Sequence, residues 1–125
     1  MRVVDSSLWV EYFADTALAD HAEACIKPIE TCVVPSMVFY ELAKWCSRNF
    51  DKERAKETLS FLNNCHNMDM NIYVATKAAE LSIQHKLHAT DAIIYATAIL
   101  AGAKLYTCDA HFKDLPDVAY SPKLG

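Results

Sequence analysis

Apolar and polar positions along this chain switch between two periods, and each switch marks an element. Arg2-Val3-Val4 is a short β-like run that stops at Asp5, after which Leu8, Trp9, Tyr12 and Phe13 return at helical spacing with Ser6 or Ser7 placed as the cap. A second helix is expected over about 17–26, and Lys27-Pro28 breaks it ahead of a strand, Thr31-Cys32-Val33-Val34. Pro35-Ser36 opens a helix with Val38, Leu42, Trp45 and Cys46 on its apolar side. Asn49 and Asp51 separate it from another amphipathic stretch ending near Cys65. Met68-Asp69-Met70 is a short strand candidate. Asn71 then caps a helix over 72–86, striped by Val74, Ala78, Leu81 and Ile83. Thr90 caps the next helix, apolar nearly all round to Ala101, with Gly102 as its stop. Such a helix belongs in the interior. Lys104 to Cys108 reads as a buried parallel strand ending at Asp109, and Val118-Ala119-Tyr120 as a last extended piece.

Strands separated by pairs of helices predict an α/β fold, a single-domain three-layer α/β/α sandwich around a mainly parallel sheet of about five strands. At 125 residues and 53% hydrophobic content, the chain suits one compact domain over 1–125, and no repeat or linker divides it. Its longest apolar run, Ala92 to Ala103, is far shorter than the roughly 20 residues of a membrane span. An acid at position 5 also interrupts what a secretory leader would keep apolar, so a cytoplasmic protein is expected. The five cysteines, Cys25, Cys32, Cys46, Cys65 and Cys108, include no C-x-x-C pair and are expected as reduced, mostly buried thiols. A zinc site from Cys65, His66, Cys108 and His111 has no recognised spacing behind it. The net charge of −4 excludes a protein that holds nucleic acid by overall basicity, so any such contact is local.

The acids carry the chemistry. In open α/β sheets, ligands bind beyond the carboxyl ends of the strands. Asp5 directly follows the first strand and Asp109 directly follows the Lys104 to Cys108 strand, so both face that edge. Glu41 stands seven residues after Val34, about one and a half turns into a helix, and can lean back over the same rim. Asp91 opens the buried helix. At about 5 Å and an effective dielectric near 20, each carboxylate pair repels by roughly 3 kcal/mol, so such a cluster protonates or binds a cation. All-oxygen ligands favour Mg²⁺ or Mn²⁺ over zinc. An ion of that kind activates water for in-line attack on a phosphodiester, which is nuclease chemistry.

Each acid also has a plainer reading. Asp91 could complement a helix dipole, Glu41 could pair with Lys44, and Asp109 could be a turn residue. Glu41 is flanked by Phe39, Tyr40 and Leu42, where an unpaired carboxylate is costly. Asp5 interrupts an apolar entry for no packing reason.

With these residues in place, the chain resembles a PIN-domain ribonuclease, and most of all the VapC-type toxin of a VapBC toxin-antitoxin pair. The resemblance covers essentially the whole chain: VVDSSLW around Asp5, VPSMVFYELAKW around Glu41, HATDAIIYATAILAGAKLYTCD from Asp91 to Asp109, and the trailing HFKDLPDV. It implies a catalytic and metal-binding set of Asp5, Glu41, Asp91 and Asp109 holding Mg²⁺ or Mn²⁺ to cut RNA. Ser6 and Thr107 fall where the family places hydroxyls that orient a carboxylate, although capping and turn bonding explain them equally well. Asp114 is a reserve ligand and Asp117 a surface acid, while Tyr95 stands where smaller residues are common. The resemblance also implies a homodimer and a cognate antitoxin that covers the site, often with a basic side chain among the acids.

On the substrate side, Lys44 and Arg48 fall on nearly the same helical stripe as Glu41, a basic track an RNA backbone could follow; a solvated charged face is the alternative. Lys86, His88 and His111 lie near the rim without an assigned role. Trp9, Trp45 and Phe61 read as core or interface before they read as base-stacking platforms. Three other readings compete: an RNA-processing PIN nuclease outside a toxin pair, a non-catalytic PIN-like RNA- or protein-binding module, and a phosphoacceptor receiver domain. The last conflicts with Ser-Ser after Asp5 and with the lack of a lysine at the last strand end.

Overall fold

Three valines and one leucine, Val3, Val4, Val33 and Leu105, have no exposed surface and form the floor of the molecule. The computed structural model describes residues 1–123. Its elements run β1 (Arg2–Val4), α1 (Ser6–Phe13), α2 (Ala19–Ile26), β2 (Cys32–Pro35), α3 (Ser36–Asn49), α4 (Lys52–Leu62), β3 (His66–Met68), α5 (Ile72–His85), α6 (Ala89–Leu100), β4 (Lys104–Thr107) and β5 (Val118–Tyr120). Every strand pairing is parallel, in the order β3-β2-β1-β4-β5, so the α/β three-layer expectation holds. None of the described helices is long and apolar enough to cross a membrane.

Several local expectations shift. β3 lies at His66–Met68, ahead of the expected Met68-Asp69-Met70, because its carbonyl edge must pair with Val33 to Pro35 of β2. Ile83 leaves the buried stripe of α5 and is 83% exposed. Two residues past Leu81 is a rotation of about 200°, onto the opposite face. Thr90 does not cap α6; His88 holds that position without a side-chain bond, and Thr90 and Asp91 lie inside the first turn. Asn71 caps α5 as expected, accepting from the Val74 amide at 3.0 Å. α6 is interior, with Ala92, Ile94, Tyr95, Ala96, Thr97 and Ala98 buried.

All five cysteines are free and buried. Cys65 adjoins β3 and Cys108 follows β4, three strand positions apart, or roughly 14 Å at the usual spacing. That separation rules out the four-residue zinc site.

Arg2 ties the first strand to the end of α2. Its guanidinium donates to the carbonyls of Cys25, Ile26 and Pro28 at 2.7 Å each and to the Thr31 hydroxyl at 2.8 Å. The last turn of a helix leaves carbonyls without partners, and one planar cation here satisfies two of them. We expect Arg2→Ala to lower unfolding free energy by about 2–3 kcal/mol, read as a lower urea midpoint with unchanged slope.

Candidate active site

The strand order reverses at β1, which has β2 on one side and β4 on the other. A crevice opens beyond the carboxyl ends at such a reversal. Asp5 is the first residue past β1, and its amide continues the ladder to Tyr106 of β4 at 2.8 Å. This places its side chain beside Thr107. The carboxylate is 3% exposed and accepts from the Thr107 hydroxyl at 2.8 Å and from Ser7 at 2.7 Å, both on Oδ2. Thr107 also accepts from the Asp109 amide at 2.9 Å, so the Thr-x-Asp turn fixes two acids through one hydroxyl.

Neither serine caps α1. Asp5 occupies the cap position with no side-chain cap bond, because its oxygens are already engaged. Ser6 donates to Glu41 Oε1 at 2.8 Å, bridging α1 to α3. Ser7 holds Asp5 and also accepts from the Cys108 amide at 3.2 Å. Glu41, half-buried, makes no ion pair with Lys44 among the described residues. Asp91 enters from the first turn of α6, and Asp109 from the turn after β4.

The sequence offers Ser7 only as a helix cap and gives His111 no role beside the acids. His111 Nδ1 lies 2.7 Å from Asp109 Oδ1, and ligand atoms of Asp91, Asp109 and His111 all fall within 4.8 Å of one another. Its signal was only its position two residues past Asp109. His88, at the start of α6, lies 6.1 Å from the His111 ring, centroid to centroid. Asp114 and Asp117 are exposed turn residues with positive φ, of 68° and 60°. Tyr95 is a core residue; its hydroxyl donates to the Pro116 carbonyl at 2.6 Å and secures the approach to β5. Trp9 and Phe61 pack together with Tyr12 and Phe13. Trp45, in contrast, stays half-exposed against Phe50 and lines a groove with Glu41, Lys44 and Arg48.

Burial pushes the carboxyls of Asp5, Glu41 and Asp91 above their ordinary values, and the neighbouring acids add to the rise. For Asp5, the hydroxyls of Ser7 and Thr107 oppose it. His111 is raised by its bond to Asp109 and by the charges of Asp109 and Asp91. A carboxyl raised on folding holds its proton more tightly folded than unfolded, so the metal-free protein loses stability as pH climbs from the ordinary values of 3.8 and 4.5 through the raised ones. Below the ordinary imidazole value of 6.5, His111 is protonated in both states and does not contribute. Between about pH 4 and 6, therefore, the melting temperature of Asp91→Asn relative to wild type is expected to rise with pH, as read by metal-free thermal melts.

These groups fit a hard divalent cation. The charges of Asp5, Glu41, Asp91 and Asp109 act on one another, Asp91 and Asp109 with His111 form the tightest group of ligand atoms, and nothing cationic except the exposed His111 bonds to any of the four among the described residues. The ordered hydroxyls occupy one oxygen of Asp5 and one of Glu41 and leave the others for an ion.

A family described as PIN domain matches residues 2–118. A search of curated protein sequences finds no match. Among solved structures, a toxin-antitoxin complex from Klebsiella pneumoniae superposes with a TM-score of 0.82 at 21% identity, covering 95% of this chain and 96% of that one. VapC20 from Mycobacterium tuberculosis, described as a toxin that cleaves the sarcin-ricin loop, superposes at 0.77 and 18% identity over 93% and 95%. VapBC2 from Rickettsia felis, bound to a DNA fragment of its promoter, gives 0.76 and 19% over 98% of both chains. Identities at this level speak to the fold.

Proposed function

This chain belongs to the PIN domain family, and on that footing we propose that it is a metal-dependent endoribonuclease and the toxin of a toxin-antitoxin pair. What supports the reading most is that the charges of Asp5, Glu41, Asp91 and Asp109 act on one another, with Asp5 directly beyond the strand where the sheet order reverses. In this reading the four acids hold Mg²⁺ or Mn²⁺. Such an ion supplies activation of water and stabilisation of the leaving oxygen in attack on a phosphodiester.

The chain's own residues do the remaining work. Ser7 and Thr107 hold Asp5 in one orientation and Ser6 holds Glu41, so the carboxylates meet the ion without reorganising. His111 fixes Asp109 by a side-chain and a backbone bond to the same oxygen. Lys44 and Arg48 lead away from Glu41 on α3 and receive phosphates of the RNA.

The partner reading rests on the structural neighbours, one described as a toxin-antitoxin complex and others as VapBC. In the cytoplasm, a cognate antitoxin covers the acids of this chain, and two copies of it associate as a homodimer. A short reading frame beside the gene, encoding a small DNA-binding protein, supports that role; an isolated gene favours an RNA-processing enzyme. The activity is tested by sequencing RNA ends after controlled expression, with Asp5→Asn as the control. New ends specific to wild type support the proposal, and identical ends in both contradict it.

A further inference from the structure

A groove of about 420 Å³ runs along α3 from the acid cluster, within the size range of sites that hold one small ligand. Glu41 and Thr90, the residue before Asp91, line it together with Tyr40, Lys44, Trp45 and Arg48. Its chemistry differs from that of the acids it adjoins. Tyr40 is 55% exposed and stacks on no other aromatic ring among the described residues. Lys44 Nζ stands 5.3 Å from the centre of that ring. Neither Lys44 nor Arg48 forms an ion pair among the described residues, in a chain of net charge −4.

We propose that this groove is a nucleotide subsite, in which an unpaired base of the RNA substrate stacks on Tyr40 while its phosphates meet Lys44 and Arg48. The assignment rests on the ribonuclease reading for the identity of the strand, and on the groove for the rest. Two unpaired cations call for an anion, and an exposed aromatic beside them calls for a flat apolar partner. A nucleotide carries both at the required adjacency. Base-on-aromatic stacking is open to any base but requires that base to be out of a duplex, so the subsite selects single-stranded or looped RNA without reading its sequence. Its near end is Glu41, so a strand held here delivers the next phosphate to the acids.

The test measures binding of a fluorescein-labelled, mixed-sequence single-stranded oligoribonucleotide by anisotropy, with Mn²⁺ present and in the Asp5→Asn background to keep the strand intact. Tyr40→Ala is expected to weaken binding roughly 5- to 150-fold and Tyr40→Phe by less than about twofold. Lys44→Ala and Arg48→Ala should each flatten the salt dependence by about 0.7 in log-log slope. The same sequence as a duplex should bind with no dependence on Tyr40. Equal affinity in Tyr40→Ala, or equal weakening for strand and duplex, overturns the subsite. Wild-type cleavage is measured in parallel. Cleavage with Tyr40-independent binding removes the subsite alone, while Tyr40-dependent binding without cleavage removes the nuclease reading and leaves the subsite standing.

Discussion

Asp91→Asn is expected to lower RNA cleavage by two to three orders of magnitude, the scale of losing one charged group from a preorganised electrostatic site. The fold should survive. Asp91 lies half-buried in the first turn of α6 and accepts no side-chain hydrogen bond among the described residues, so an amide there leaves no donor stranded. The metal-free variant should be at least as stable as wild type at neutral pH, because its removal relieves the repulsion felt by Asp5 and Glu41. Mn²⁺ should raise the melting temperature of wild type more than that of the variant. Equal shifts would mean that the acids do not act as one site.

Thr107→Val is expected to weaken Mn²⁺ binding by 10- to 100-fold, with a matching fall in cleavage at sub-saturating metal. The side chains have nearly the same volume, so packing changes little. What is lost is the hydroxyl that donates to Asp5 and accepts from the Asp109 amide. Asp5 then keeps only Ser7 among its side-chain donors, and a buried carboxylate short of a donor costs about 1–3 kcal/mol. Thr107→Ser should recover most of the binding. Isothermal titration of the three proteins with Mn²⁺ separates this from a general loss of stability, since a destabilised but intact site would retain its affinity.

The chain itself disclosed the acids because three of them sit where element type changes. Asp5 closes an apolar run, Asp109 closes another, and Asp91 opens an apolar helix, so each is a polar residue at a boundary that period alone can locate. Glu41 was legible through its apolar flanks. The strand order was not legible. β1 lies between β2 and β4 only because β3 and β4 are joined across the sheet, and nothing in the period of a segment records which neighbour it pairs with. The roles of the two serines were hidden for a related reason. Ser6 and Ser7 look like caps to any local rule, and only the tertiary placement of Glu41 and Thr107 draws their hydroxyls away from the backbone. His111 escaped because histidine two residues past a turn acid carries no spacing rule of its own. Ile83 misled because an apolar residue two positions past the last buried leucine matches a stripe on composition while pointing to solvent.

The same logic explains why a net-acidic protein can be read as acting on an acidic polymer. Repulsion among the carboxylates is a standing cost of the metal-free fold, and divalent charge removes it while drawing in phosphate. Under the proposed function, Lys44 and Arg48, which line the groove beside Glu41, would keep the approach locally favourable.

The most direct test of the central claim is a titration of purified protein with Mn²⁺, following melting temperature and cleavage of a single-stranded RNA in the same samples. Both are predicted to rise over one concentration range, to be abolished by EDTA, and to be lost together in Asp5→Asn. Cleavage that persists in EDTA or in Asp5→Asn would contradict a catalytic site built from these four acids.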